Sequence, residues 1–182
     1  MSETDNELNS KVIPSLLNEI IYSNEIGLRV SEIEGDAVLF YKRGELPKLK
    51  DLIRQCKYFY TQFYKQLRKL EIKHQHKSGS KSIPKTLGLK IILHYSEEID
   101  SVQIGKHIKL IGEDVIVAHR LLKNDIKTDE YLLFSSNLLD EYNTKDLDSK
   151  LYWDDIKKGK DVYEHIGEIK YTYIDLTTLL DT

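Results

Sequence analysis

Apolar residues recur at helical spacing between residues 7 and 26, through Val12, Ile13, Leu16, Leu17, Ile20 and Ile21. The pattern predicts an amphipathic helix with Pro14 in its first turn and Gly27 just past its end. Residues 28–34 then alternate, and after Glu34-Gly35-Asp36 comes the apolar, aromatic run 37–41, which together predict a β-hairpin with Asp36 at its tip. The longest helical pattern, 48–72, places Leu49, Leu52, Ile53, Cys56, Phe59, Phe63, Leu67 and Leu70 on one face, with Pro47 where the helix begins. A basic loop is expected over 74–85, followed by strands at 87–95 and 102–111, a helix over 112–124 and a strand at 130–135. The tail reads as a short helix at 138–140, an irregular charged stretch through 161 and a closing strand at 169–176. Helices and strands alternate without an internal repeat, so the expected class is α/β (α+β).

Length adds that 182 residues make one domain, expected to run over 1–182. With 40% hydrophobic and 31% charged residues, disorder and low-complexity classes fall away. The single cysteine, Cys56, cannot form an internal disulfide, and no basic-then-apolar leader opens the chain, so a cytoplasmic location is expected. No apolar run approaches the roughly 20 residues of a membrane helix, and no membrane partner is expected.

Charge changes the picture more. The net charge of −3 hides a segment, residues 48–90, that carries +10 while the remainder carries −13. This is either a solvated basic face or an anion-binding and interaction surface. Such a surface could take a nucleotide, a nucleic acid or an acidic partner, and charge alone does not choose; nucleic acid is not the partner expected. The aromatics Tyr58, Phe59, Tyr60, Phe63 and Tyr64 could stack bases, but their spacing makes them mainly the inner face of a helix. His74 and His76 have no companion ligands at zinc-finger spacing and read as surface histidines. His94 and His119 read as satisfied, half-buried groups. No Walker loop and no G-x-G-x-x-G is present.

Four stretches carry a resemblance: EIEGDAVLFY at 32–41, GLKIILHYSE at 88–97, IKLIGEDVIVAHRLL at 108–122 and GEIKYTYIDL at 167–176. In order and spacing they resemble the class III adenylyl/guanylyl cyclase catalytic domain, in a divergent bacterial branch. The resemblance covers most of the chain, with 7–135 as its core and 136–182 as a divergent C-terminal part. It implies a ferredoxin-like sandwich, a mainly antiparallel sheet with helices packed on it. It also implies a first strand upstream of the first helix, which this chain is expected to lack, and a homodimer.

In that family two aspartates bridge two divalent cations while a ribose hydroxyl attacks the α-phosphate. Asp36 matches the aspartate at the hairpin tip and would bind Mg or Mn weakly; the other aspartate belongs to the missing strand. Glu32 falls on a purine-selecting position, where a carboxylate could accept hydrogen bonds from guanine, and Lys109 falls on its partner position, where it could instead pair with Glu32. Ile116 replaces the ribose-orienting Asn. Arg120 matches the Arg that stabilises phosphate charge in the transition state, and Glu164 stands where a triphosphate-binding Lys is usual. The resemblance thus implies a nucleotide-binding or regulatory cyclase-homology domain in cyclic-nucleotide-type signalling, with a purine nucleotide as partner and weak or absent catalysis. Two alternatives stand beside it: an active cyclase whose metal-binding strand lies outside this sequence, and an interaction module built on the basic 48–90 segment.

Overall fold

A computed structural model describes residues 8–75, 87–145 and 147–180. The chain is a mixture of α-helices and largely antiparallel β-sheets, and it divides into two compact units, Met1–Leu87 and Gly88–Thr182. Among the described residues no helix is long and apolar enough to cross a membrane.

In the first unit a π-helical turn, Leu8–Val12, leads into α1 (Ile13–Tyr22), with Pro14 in its first turn. The helix stops four residues earlier than its apolar pattern suggests. Asn24 is the reason: its amide donates to the Leu28 carbonyl at 2.6 Å and accepts from the Leu28 N–H at 3.0 Å, which closes a tight loop through Gly27 at φ +72°. The hairpin pairs β1 (Arg29–Glu34) with β2 (Ala37–Tyr41) through a two-residue loop, Gly35-Asp36. Positive φ falls on Gly35 and not on Asp36, the signature of a II′ turn. Helix α2 (Leu49–Gln75) buries Leu49, Leu52, Ile53, Cys56, Phe59, Tyr60, Phe63 and Leu67 on one stripe, against Val12, Leu16 and Ile20 of the N-terminal helical segment. Phe40 stacks on Phe59 at 5.7 Å and ties the hairpin to α2. The expected loop from residue 74 begins as helix, and residues 76–86, with His76 among them, lie outside the described residues.

In the second unit a four-stranded sheet has the order β3 (Lys90–Leu93), β6 (Tyr131–Ser135), β8 (Gly167–Asp175), β7 (Lys157–Tyr163). β6 is its centre: Tyr131, Leu132, Leu133 and Phe134 have no exposed surface. β3 runs parallel to β6, which requires a crossover, and the other two pairings are antiparallel. Two expectations are corrected here. The apolar run 102–111 is not one strand but a hairpin, β4 (Asp100–Ile104) and β5 (His107–Ile111), broken at Gly105 with φ +61°. The charged stretch before 161 is not irregular; β7 forms there as an edge strand, where lysines are favoured because they discourage pairing with other chains. Helix α3 (Glu113–Leu121) follows β5 directly, and the short helices α4 (Ser136–Asp140) and α5 (Leu147–Lys150) follow β6. Among the described residues, β2 pairs only with β1 and β3 only with β6.

Candidate functional site

The segment from β5 into α3 is built by one glycine. Gly112 adopts φ 127° and ψ 174°, a conformation that side-chain-bearing residues avoid, and so turns the strand end into a helix within a single residue. The helix then seats Val117 and Leu121 in a core formed with Tyr131, Leu133 and Tyr171. Burying those positions leaves a flanking stripe to solvent, and Ile116 (52% exposed) and Arg120 stand one turn apart on it. The C-terminal end of α3 is held from two sides. The Tyr163 hydroxyl donates to the Arg120 carbonyl at 3.0 Å, and the Asn124 amide reaches the Leu121 carbonyl and the Tyr131 hydroxyl, each at 2.7 Å. Glu113 and Asp114 in the first turn and His119 and Arg120 in the last suit the helix dipole, which accounts for part of Arg120's placement without any ligand.

A hydrogen-bonded chain closes the other end of α3. His94 Nε2 lies 3.0 Å from Asp114 Oδ1 and His94 Nδ1 lies 2.9 Å from Ser135 Oγ, while Ser96 Oγ contacts the second Asp114 oxygen. Ser135 also caps α4 by accepting from the Leu138 N–H at 3.3 Å. Ser, His and Asp in contact suggest nucleophilic catalysis. Burial excludes it here: Ser135 has no exposed surface, so no substrate can reach its oxygen. The chain instead fastens the end of β3 to α3 and β6, and His94 is the satisfied, half-buried group expected of it. Its partners, twenty or more residues away on other elements, leave no mark in the sequence.

The four residues singled out by resemblance fall in pairs. Asp36 is exposed at the tip of the β1–β2 hairpin; Glu32, half-buried, lies across from Leu39, on the ribbon face opposite Phe40. Lys109 is exposed on β5 across from Val102, and Arg120 is exposed in the last turn of α3. Glu164 stands in the β7–β8 turn with its side chain 90% exposed. A hard divalent cation takes six or more oxygen ligands, and a two-metal site needs several carboxylates. Asp36 stands at an exposed turn, and the Glu32 and Glu34 carboxylates of the same hairpin lie within 4.8 Å of each other; three carboxylates from one hairpin still fall short of the oxygen set that a metal pair needs.

One further cluster escaped the sequence reading. Tyr163 lies on β7 with Asp161 Oδ2 3.4 Å from its hydroxyl, and Tyr171 on β8 lies beside the same carboxylate. Burial first and the Asp161 charge second push the Tyr163 phenol up to about 12; burial first and the hydrogen bond to Asp161 second push Tyr171 up as well.

Residues 13–131 match the family described as "Protein of unknown function (DUF2652)". The chain belongs to this family. An uncharacterised protein of Mycobacterium tuberculosis is 30% identical to it over 166 residues, which is 84% of this chain and 68% of the relative. The DUF2652 match runs from α1 to the start of β6 and so contains Glu32, Asp36, Lys109 and Arg120, whereas the Asp161, Tyr163 and Tyr171 cluster lies beyond it.

Proposed function

We propose that this DUF2652 chain is a divergent class III cyclase-homology domain, of the ferredoxin-like cyclase type, that binds a purine nucleotide in a regulatory role and is catalytically weak or inactive by itself. The observation that supports this most directly is the solvent-facing stripe of α3. The two positions that the resemblance assigns to ribose and phosphate stand one turn apart on it, while the intervening Val117 is buried. An exposed guanidinium can take a phosphate in two parallel hydrogen bonds. Ile116 can offer none to a ribose. Removing one group that stabilises a transition state typically costs about a hundredfold or more in rate. Binding without turnover is the reading that fits both facts.

Calorimetry with GTP and ATP on the wild type and on Arg120→Ala tests the binding; turnover of both nucleotides with manganese tests the chemistry. We expect measurable binding weakened by Arg120→Ala and negligible turnover. Turnover that Asp36→Ala and Arg120→Ala both abolish would establish an active cyclase instead. Failure of both nucleotides to bind would remove the nucleotide reading altogether.

A further inference from the structure

Helix α2 carries a feature that the nucleotide reading does not use. Its buried stripe faces α1 and β2, and the opposite side presents Lys50, Arg54, Lys57, Lys65, Arg68 and Lys69. At 100° per residue these six fall within an arc of about 120°. All are exposed except Lys57, which is half-buried, and Arg54 is 67% exposed even while contacting Asp51 at 3.5 Å. The cations form two groups, 50/54/57 and 65/68/69, whose centres are about 20 Å apart along the axis at 1.5 Å per residue. Between them the same stripe is uncharged, with Tyr58 and with Thr61, whose hydroxyl is bonded to the Lys57 carbonyl at 2.9 Å. The support is rigid. Gln66 Nε2 donates to Ser15 Oγ of α1 at 2.8 Å, and the Gln55 amide Nε2 donates to the Ser23 carbonyl at 2.8 Å while its Oε1 accepts from the Glu25 N–H at 2.7 Å.

We propose that this face of α2 binds the phosphate backbone of a B-form DNA duplex across its major groove, independently of base sequence. The spacing argues for a duplex. A major groove about 12 Å wide is bordered by a phosphate strand on each side, so two cationic groups about 20 Å apart reach both borders with the uncharged middle over the gap. Recognition of single strands would need exposed aromatics to stack on bases, and here Phe59, Tyr60 and Phe63 are buried in the core. A membrane surface would call for an apolar face next to the basic one. That face of α2 is already spent on the core, and Ile72 is its one large hydrophobic residue with more than half its surface exposed among those described. The net charge of −3 does not describe this face, because the fold gathers six of the cations of the basic 48–90 segment onto one rod.

Fluorescence anisotropy of the full chain with two duplexes of unrelated sequence, over a salt series from about 50 mM to 200 mM, tests the proposal. Both duplexes should bind equally, and six phosphate contacts predict that log K falls against log salt with a slope of about −5. The charge-reversed triple variant Arg54→Glu, Lys65→Glu, Arg68→Glu should lose at least about tenfold in affinity with a shallower slope. Lys158→Glu, an exposed lysine on β7, should change neither. The single neutral variants Arg54→Gln and Arg68→Gln should each lower the slope by about 1, which keeps the test valid if the triple variant folds poorly. The proposal is overturned by no duplex binding at the lowest salt, by a salt slope near zero, by α2 variants that bind like the wild type, by Lys158→Glu weakening binding as much as they do, or by tighter binding to vesicles of phosphatidylserine and phosphatidylcholine than to either duplex.

Discussion

Gln55 interrupts the apolar face of α2, and nothing in the spacing of Leu52, Ile53, Cys56 and Phe59 asks for an amide there. The amide is required by what lies opposite, where the end of α1 leaves the Ser23 carbonyl and the Glu25 N–H pointing at the helix. Only a side chain with a donor and an acceptor satisfies both. Gln55→Ala strands two backbone groups and should cost about 1–3 kcal/mol or more, read as a drop in the urea midpoint. Gln55→Glu should cost nearly as much at neutral pH, since a carboxylate can accept from Glu25 but cannot donate to Ser23. A midpoint for Gln55→Glu equal to that of the wild type would show that the Ser23 contact contributes nothing. Cys56, the next residue, shows the converse: burial pushes its thiol up to about 12, so the lone cysteine is inert packing material.

Among the elements, the hairpin β1–β2, helix α2 and the central strand β6 were legible because each has a strong period or a strong turn signal. The β4–β5 hairpin was not, because apolar residues continue on both sides of Gly105 and the period does not reveal that the chain reverses. β7 was missed for a different reason, since Lys157, Lys158, Lys160 and Asp161 carry no apolar alternation. What makes it a strand is its neighbour. Gly159 lies across from Tyr171, whose ring crosses the backbone so closely that a Cβ at 159 would come within 2.4 Å of it. Tyr171 is buried and cannot swing away. Gly159→Ala should therefore destabilise by about 1–3 kcal/mol through overpacking. Thermal melting of that variant beside Gly105→Ala, where a Cβ meets nothing but the backbone is strained, separates packing cost from turn cost.

At the scale of the whole chain, alkaline stability should be lost from both units, through the buried Cys56 thiol of the first and the raised phenols of the second. The Tyr163 phenol is raised from about 10 to about 12 in the folded state, and Tyr171 is raised too. A raised folded pKa means that the native state holds its proton longer than the unfolded chain does. The corresponding stability is complete below about pH 10 and is lost as pH rises through 12. Urea midpoints should begin to fall near pH 9, where the unfolded Cys56 thiol ionises, and fall further between about pH 10 and 12 as the phenols do; Asp161→Asn, which removes the shared negative charge, should make the phenol part of the fall smaller and end it at lower pH. A fall unmoved by Asp161→Asn would mean that burial alone holds these protons. The sequence by itself determined the α+β class, most elements, the hairpin tip at Asp36 and the helix bearing Arg120, because hydrophobic period and glycine punctuation are local and depend on residues within a few positions of one another. The structure decided which strands pair, that β3 runs parallel to β6, that His94 meets Asp114 and Ser135, that two tyrosines converge at Asp161, and that six cations line one side of α2. Pairing and burial join residues tens of positions apart, and the free energy that selects them resides in contacts the chain acquires only on folding.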